Sequence, residues 1–145
     1  MTLWIEVKAR YDKMLENGTI KRVTEPYLVD ALSCTEAEAR VIEELTPLVS
    51  GDLSVNSNKK TNISEIFLDN DGDRFYRVKV NYITIDEKTA AERRTASYIV
   101  VPANNFKEAY DNFLKGMEDT MADYEIEAIA ETRYIDVFPV RLSDK

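Results

Sequence analysis

The sequence repeats itself, and that constrains its fold more than any other feature. Trp4-Ile5-Glu6-Val7-Lys8-Ala9-Arg10-Tyr11 aligns with Phe75-Tyr76-Arg77-Val78-Lys79-Val80-Asn81-Tyr82, an offset of 71 residues (Trp4 against Phe75). Thr24 and Tyr27-Leu28-Val29 meet Thr95 and Tyr98-Ile99-Val100 in the same register, and Glu65-Ile66-Phe67 meets Asp136-Val137-Phe138. Thr35-Glu36-Ala37 falls on Lys107-Glu108-Ala109 after a one-residue slip of the size a loop absorbs. Two tandem repeats, 1–71 and 72–145, follow from this order.

Each repeat reads as strand, strand, helix, strand. Ile5, Val7, Ala9 and Tyr11 alternate with Glu6, Lys8 and Arg10, the period of a half-buried strand. Asn17-Gly18 signals a hairpin into a second strand over 19–31, where Pro26 predicts an edge or a bulge. Ser33 with Glu36 has the capping-box spacing before an apolar stripe of Ala37, Val41, Ile42, Leu45, Leu48 and Val49. In the second repeat Tyr76, Val78, Val80 and Tyr82 alternate, and a strand over 94–101 follows a polar loop. Asn104 or Asn105 then caps a helix whose predicted buried stripe is Phe106, Ala109, Tyr110, Phe113, Leu114, Met117 and Met121. A last strand is predicted over 124–138. The expected architecture is one α+β domain, residues 1–145, with pseudo-two-fold symmetry: a largely antiparallel sheet with two helices packed on one face. At 145 residues such a domain buries enough surface to need no metal or disulfide.

Absences narrow the chemistry. The chain has no histidine and one cysteine, Cys34. Histidine-based triads, histidine-ligated zinc and intrachain disulfides are thereby excluded, and Cys34 reads as a small apolar residue near a helix start. No Gly-rich phosphate loop, Walker pattern or Gly-x-Ser-x-Gly elbow is present, so a non-enzymatic role without cofactors is expected. Asp69-Asn70-Asp71-Gly72-Asp73 resembles part of a calcium loop. Placing Gly72 sixth, however, puts Phe67 first and Val78 twelfth, and neither ligates calcium, so the stretch reads as a turn using the conformational freedom of Asp-Gly. Charged residues interrupt residues 1–15 and no apolar run nears ~20 residues, which points to a cytoplasmic chain with no membrane contact.

The formal net charge of −8 is unevenly spread. The helical segments hold the excess acid: Glu36, Glu38, Glu43, Glu44 and Asp52 against Arg40, then Glu108, Asp111, Glu118, Asp119 and Asp123 against Lys107 and Lys115. The hairpins gather the bases. With Ile5, Val7, Ala9 and Tyr11 facing a core, Trp4, Lys8 and Arg10 share the opposite face. By the repeat, Phe75, Arg77 and Lys79 share the matching one, and Lys21-Arg22 and Arg93-Arg94 fall at nearly equivalent places on the second strands. Trp4, Lys8, Arg10, Arg22, Arg77, Lys79, Arg93 and Arg94 are therefore the candidate site for a phosphate-bearing ligand, held by guanidinium contacts and ring stacking. The competing reading is a solvated face whose bases pair with Glu6, Glu25 and Glu92 across strands. The acidic balance disfavours duplex DNA.

The strings Val23-Thr24-Glu25-Pro26-Tyr27-Leu28-Val29-Asp30-Ala31, Thr35-Glu36-Ala37-Glu38-Ala39, Thr95-Ala96-Ser97-Tyr98 and Thr120-Met121-Ala122-Asp123-Tyr124-Glu125-Ile126 resemble a family of short proteins, about 150 residues long, that carries only a domain-of-unknown-function label and occurs in gut bacteria, their phages and mobile elements. The resemblance carries over no functional residue. It implies action by binding: sequestering a nucleotide-type signal used in host defence, or else serving as an acidic adaptor or inhibitor of a host protein, or an accessory to single-stranded nucleic acid. Exposed sheet edges add an expectation of a homo-oligomer.

Overall fold

The computed structural model describes residues 3–49 and 51–139, a mixed α+β arrangement of eight strands in two sheets with two helices. The chain divides into two compact units, one from residues 1–61 and 134–145, the other from 62–133.

In the first unit β1 (Leu3–Met14), β2 (Ile20–Ala31), β3 (Leu53–Lys60) and β8 (Asp136–Phe138) form a sheet of order β3-β1-β2-β8. β1 runs antiparallel to both neighbours, and β8 lies parallel to β2. The Asn17-Gly18 turn closes the hairpin with Gly18 at φ +85° and its N–H donating to Leu15 O at 2.9 Å. β2 is not an edge strand. Pro26 is tolerated because β8 pairs only from Tyr27 onward, leaving the position before it without a ladder partner that needs an N–H. Helix α1 (Cys34–Leu45) begins where the Ser33 side chain accepts a bond from Glu36 N–H at 3.2 Å. Glu36 reaches back to Leu32 N–H. A 3-10 turn started by Pro47 follows, over Thr46–Leu48. Ala37, Val41 and Leu45 of α1 are buried on Ile5, Val7, Ala9, Tyr27, Val29 and Ala31. Cys34 is half-buried against this cluster, as a small apolar residue would be.

The second unit holds β4 (Ile63–Ile66), β5 (Arg74–Ile85), β6 (Glu92–Ala103) and β7 (Asp123–Glu131) in the order β4-β6-β5-β7, with β4 parallel to β6 and the other pairs antiparallel. Asn105 caps α2 (Phe106–Gly116) by accepting from Glu108 N–H at 2.9 Å, and Glu108 reaches back to Asn104 N–H. Val78, Val80, Ile99 and Val101 carry the buried Phe113 and Met117, while Ala109 packs with Tyr76 and Ala103.

Three expectations are corrected. The single sheet with both helices on one face is instead two sheets, each with its own helix, and each contains a parallel pair. The last strand, expected to be continuous, is broken between Glu131 and Asp136, and its second part joins β2. Conversely β4, which lies in the first repeat of the sequence, joins β6. The apolar stripes of the helices are also narrower than predicted. Of these residues only Ala37, Val41 and Leu45 of α1 and Ala109, Phe113 and the C-cap Met117 of α2 are buried: Leu48, Val49 and Met121 lie past the helix ends, and Ile42, Phe106, Tyr110 and Leu114 lie beside the buried lines rather than on them.

The two units share detail below the level of topology. A bulge interrupts pairing between Lys8 and Ala9 and again between Lys79 and Val80. Thr61 donates both its N–H and its Oγ1–H to Trp4 O, at 3.0 and 2.6 Å. Thr132 does the same to Phe75 O, at 2.8 and 2.7 Å.

Candidate binding surfaces

Strand register decides which bases share a face. In the first unit Trp4, Lys8 and Arg10 do lie on the face away from α1, since Ile5, Val7 and Ala9 pack under the helix. Arg22 joins them opposite Asp12. In the second unit Arg77 and Lys79 lie away from α2, and Arg94, paired with Ile83, falls on that side too. Arg93 does not. It pairs with Thr84, two residues from Tyr82 of the helix-side cluster, so alternation turns it to the other face. Adjacent residues of one strand point to opposite faces, so Arg93 and Arg94 do not share the basic face.

Most of these bases already have carboxylates or rings. Arg22 Nε binds Asp12 at 3.1 Å. Lys79 Nζ lies 2.6 Å from Glu127, which also accepts from Asn81; those two bonds hold the Glu127 carboxyl below its ordinary range, and the Glu127 contact raises Lys79. Arg94 bonds Glu125, with Glu92 at 3.8 Å, and its guanidinium is raised accordingly. Arg77 sits over the Tyr98 ring, 5.4 Å from its centroid. The three acids named as competitors are paired as well, Glu6 with Lys59 at 3.7 Å, Glu25 with Lys13 at 3.5 Å and Glu92 with Arg94. Lys8 and Arg10 are in no such pair among the described residues, and their neighbours on β3 are Ser57 and Ser54.

Two described grooves lie away from these bases. An open groove of about 440 Å³ in the first unit is lined by Tyr11, Asp12, Lys13, Met14, Ile20 and Leu48. A shallower one of about 270 Å³ in the second unit lies between Glu65, Phe67, Asp69, Asn70 and the end of α2. Neither contains a predicted site residue. Among the described residues no three Asp, Glu or Cys side chains gather to hold a metal ion, and no helix is long and apolar enough to cross a membrane. Gly72 of the Asp-Gly turn does not use positive φ. It is small because a Cβ there would stand 2.4 Å from the Ala103 backbone.

Helix α2 carries the feature that sequence periodicity misassigned. Phe106, Tyr110 and Leu114 were expected in the core, yet they are 57%, 42% and 37% exposed and form a second i, i+4, i+8 line beside the buried one. Among the described residues only Phe106 has a ring partner there, the edge of Tyr76 at 6.4 Å. On α1 the corresponding positions, 72 residues earlier, are Cys34, Glu38 and Ile42. Glu38 there accepts a bond from Asn58 Nδ2 at 2.8 Å. The fold thus closes without an aromatic line on its helix. The signal that could have separated the two lines was this internal comparison: Ala37, Val41 and Leu45 match Ala109, Phe113 and Met117 as apolar in both repeats, whereas Glu38 against Tyr110 does not match.

The chain belongs to a family described as a domain of unknown function, DUF4494, whose model matches residues 3–140. No curated protein and no solved structure matches it.

Proposed function

We propose that this DUF4494 member is a non-enzymatic binding protein that works through protein contact, with the outer side of α2 as its contact surface. The observation that carries this reading is the exposed Phe106–Tyr110–Leu114 line, aromatic surface that α1 manages without at the same positions. Aromatic side chains set in a charged surround favour a protein over a small solute, because they offer large area at low entropy cost. The test is the native mass of the chain in a lysate of cells that express it. The wild type should run above monomer mass, and Tyr110→Glu, a substitution that copies Glu38 of α1, should run as monomer. A wild-type chain at monomer mass would sink the reading.

A second reading keeps part of the basic face. Lys8 and Arg10, with Ser57 and Ser54 opposite them on β3, retain the chemistry to hold a phosphate-bearing, nucleotide-type ligand, and Trp4 lies farther along the same face beyond Glu6 as a ring for a base. Arg22, Arg77, Lys79 and Arg94 contribute less, being engaged in cis, and Arg93 is turned away. Calorimetric titration with nucleotides separates the cases: Lys8→Ala with Arg10→Ala should abolish any heat of binding while leaving the melting temperature nearly unchanged.

We also infer that the two units descend from duplication of one ancestral unit. Support comes from the near-constant offset, the bulges at Lys8 and Lys79, and the paired threonine bonds at Thr61 and Thr132.

A further inference from the structure

The exposed line on α2 is bordered by charges whose order is its own complement in reverse. Lys107, Asp111 and Lys115 run along one side of the helix at steps of four, and Glu118 follows three residues later in the turn past the C-cap Met117, so the signs read plus, minus, plus, minus. Within one chain Lys107 already meets Asp111 at 3.1 Å, both largely exposed. Read backwards, the order becomes minus, plus, minus, plus. Each position then meets its opposite when a second α2 lies antiparallel beside the first: Lys107 faces Glu118 of the second copy, and Asp111 faces Lys115 of the second copy. The same two-fold brings Tyr110 of each copy against Leu114 of the other.

We infer that α2 is a self-association surface, pairing antiparallel with α2 of a second copy of this chain across a two-fold axis. This rests on the reading of α2 as a protein-contact surface and names the partner. α1 supplies the control. Its positions equivalent to the four charges are Thr35, Ala39, Glu43 and Thr46, which carry no alternation, and its equivalent of the apolar line is interrupted by Glu38. Apolar line and self-complementary border therefore occur together on one helix and are both missing from the other. A surface so short falls below the standard interface, so the dimer forms weakly, with a dissociation constant on the order of micromolar.

Sedimentation velocity of the purified full chain over about a hundredfold range of concentration tests this, since self-association is concentration-dependent. The wild type should shift from monomer to dimer. Tyr110→Glu should remain monomeric with an unchanged melting temperature. Lys107→Glu and Glu118→Lys should each raise the dissociation constant roughly tenfold, and an equimolar mixture of the two, or the double variant, should recover dimer. A wild type that stays monomeric throughout overturns the proposal, as does a dimer indifferent to Tyr110→Glu, and failure of the charge-reversed pair to recover overturns the antiparallel arrangement. A purified monomer that still runs in a heavier complex in lysate would remove self-association while leaving protein contact through α2 standing.

Discussion

Glu38 on α1 accepts a 2.8 Å hydrogen bond from the Asn58 side chain on the edge strand β3, and this polar tie at the middle of the helix adds to the packing of Leu53 and Val55 of the same strand on the α1 cluster. In the second unit the matching positions hold Tyr110 and Ile129, so the same seam there is apolar and partly open. Two helices of one design thus meet their edge strands by different chemistry.

Asn58→Ala leaves Glu38, half-buried, without its amide donor. Stability should fall by about 1 kcal/mol, the worth of one such bond. Urea denaturation followed by far-UV circular dichroism would measure it, and an unchanged midpoint would mean that water replaces the amide at no loss.

Gly72→Ala places a methyl 2.4 Å from Ala103 Cα and N, both backbone atoms of a fully buried residue. The strand must shift to admit it, at about 1–3 kcal/mol. Gly18→Ala meets nothing within 4 Å and is opposed only by φ +85°, so it should be the milder substitution, at about 1 kcal/mol. The two melting temperatures, compared side by side, decide whether space or backbone conformation dominates at each turn.

Phe113 is fully buried between Phe67, 5.9 Å away, and Tyr124, 6.0 Å away, in the centre of the second unit. Phe113→Ala should therefore lose about 3–5 kcal/mol, the usual range for an aromatic removed from a core. Calorimetry would show whether the first unit melts with the second or separately.

Burial first, and then donation to the Glu25 carboxylate, push the Tyr11 hydroxyl well above its ordinary value. A folded pKa above the unfolded one means that the neutral phenol belongs to the native state. The stabilisation is complete below about pH 10, where an unfolded tyrosine begins to ionise, and is lost as pH rises beyond it. Denaturation midpoints taken on either side of about pH 10 should fall more steeply for the wild type than for Tyr11→Phe. Parallel slopes would show that Tyr11 ionises alike in both states.

Much of the architecture is legible in local sequence. The alternation in β1 and β5, the Asn17-Gly18 hairpin and the caps at Ser33 and Asn105 all follow from local periodicity and local hydrogen bonding. The candidate site is less legible. Alternation places Trp4, Lys8 and Arg10 on one face correctly, but it has no means of saying that Asp12, Glu127 and Glu125 reach across to Arg22, Lys79 and Arg94.

What the sequence determined alone is the long hairpin strands and the two capped helices, because strand period, capping and turn chemistry act between residues a few positions apart. Tertiary structure decided the rest. β4 and β8 are four and three residues long, too short for any pattern to name their neighbours, so only the closing of each sheet assigns β4 to β6 and β8 to β2. Likewise Phe106, Tyr110 and Leu114 read as core by periodicity, and they remain partly exposed because α2 turns Ala109, Phe113 and Met117, not them, onto its sheet.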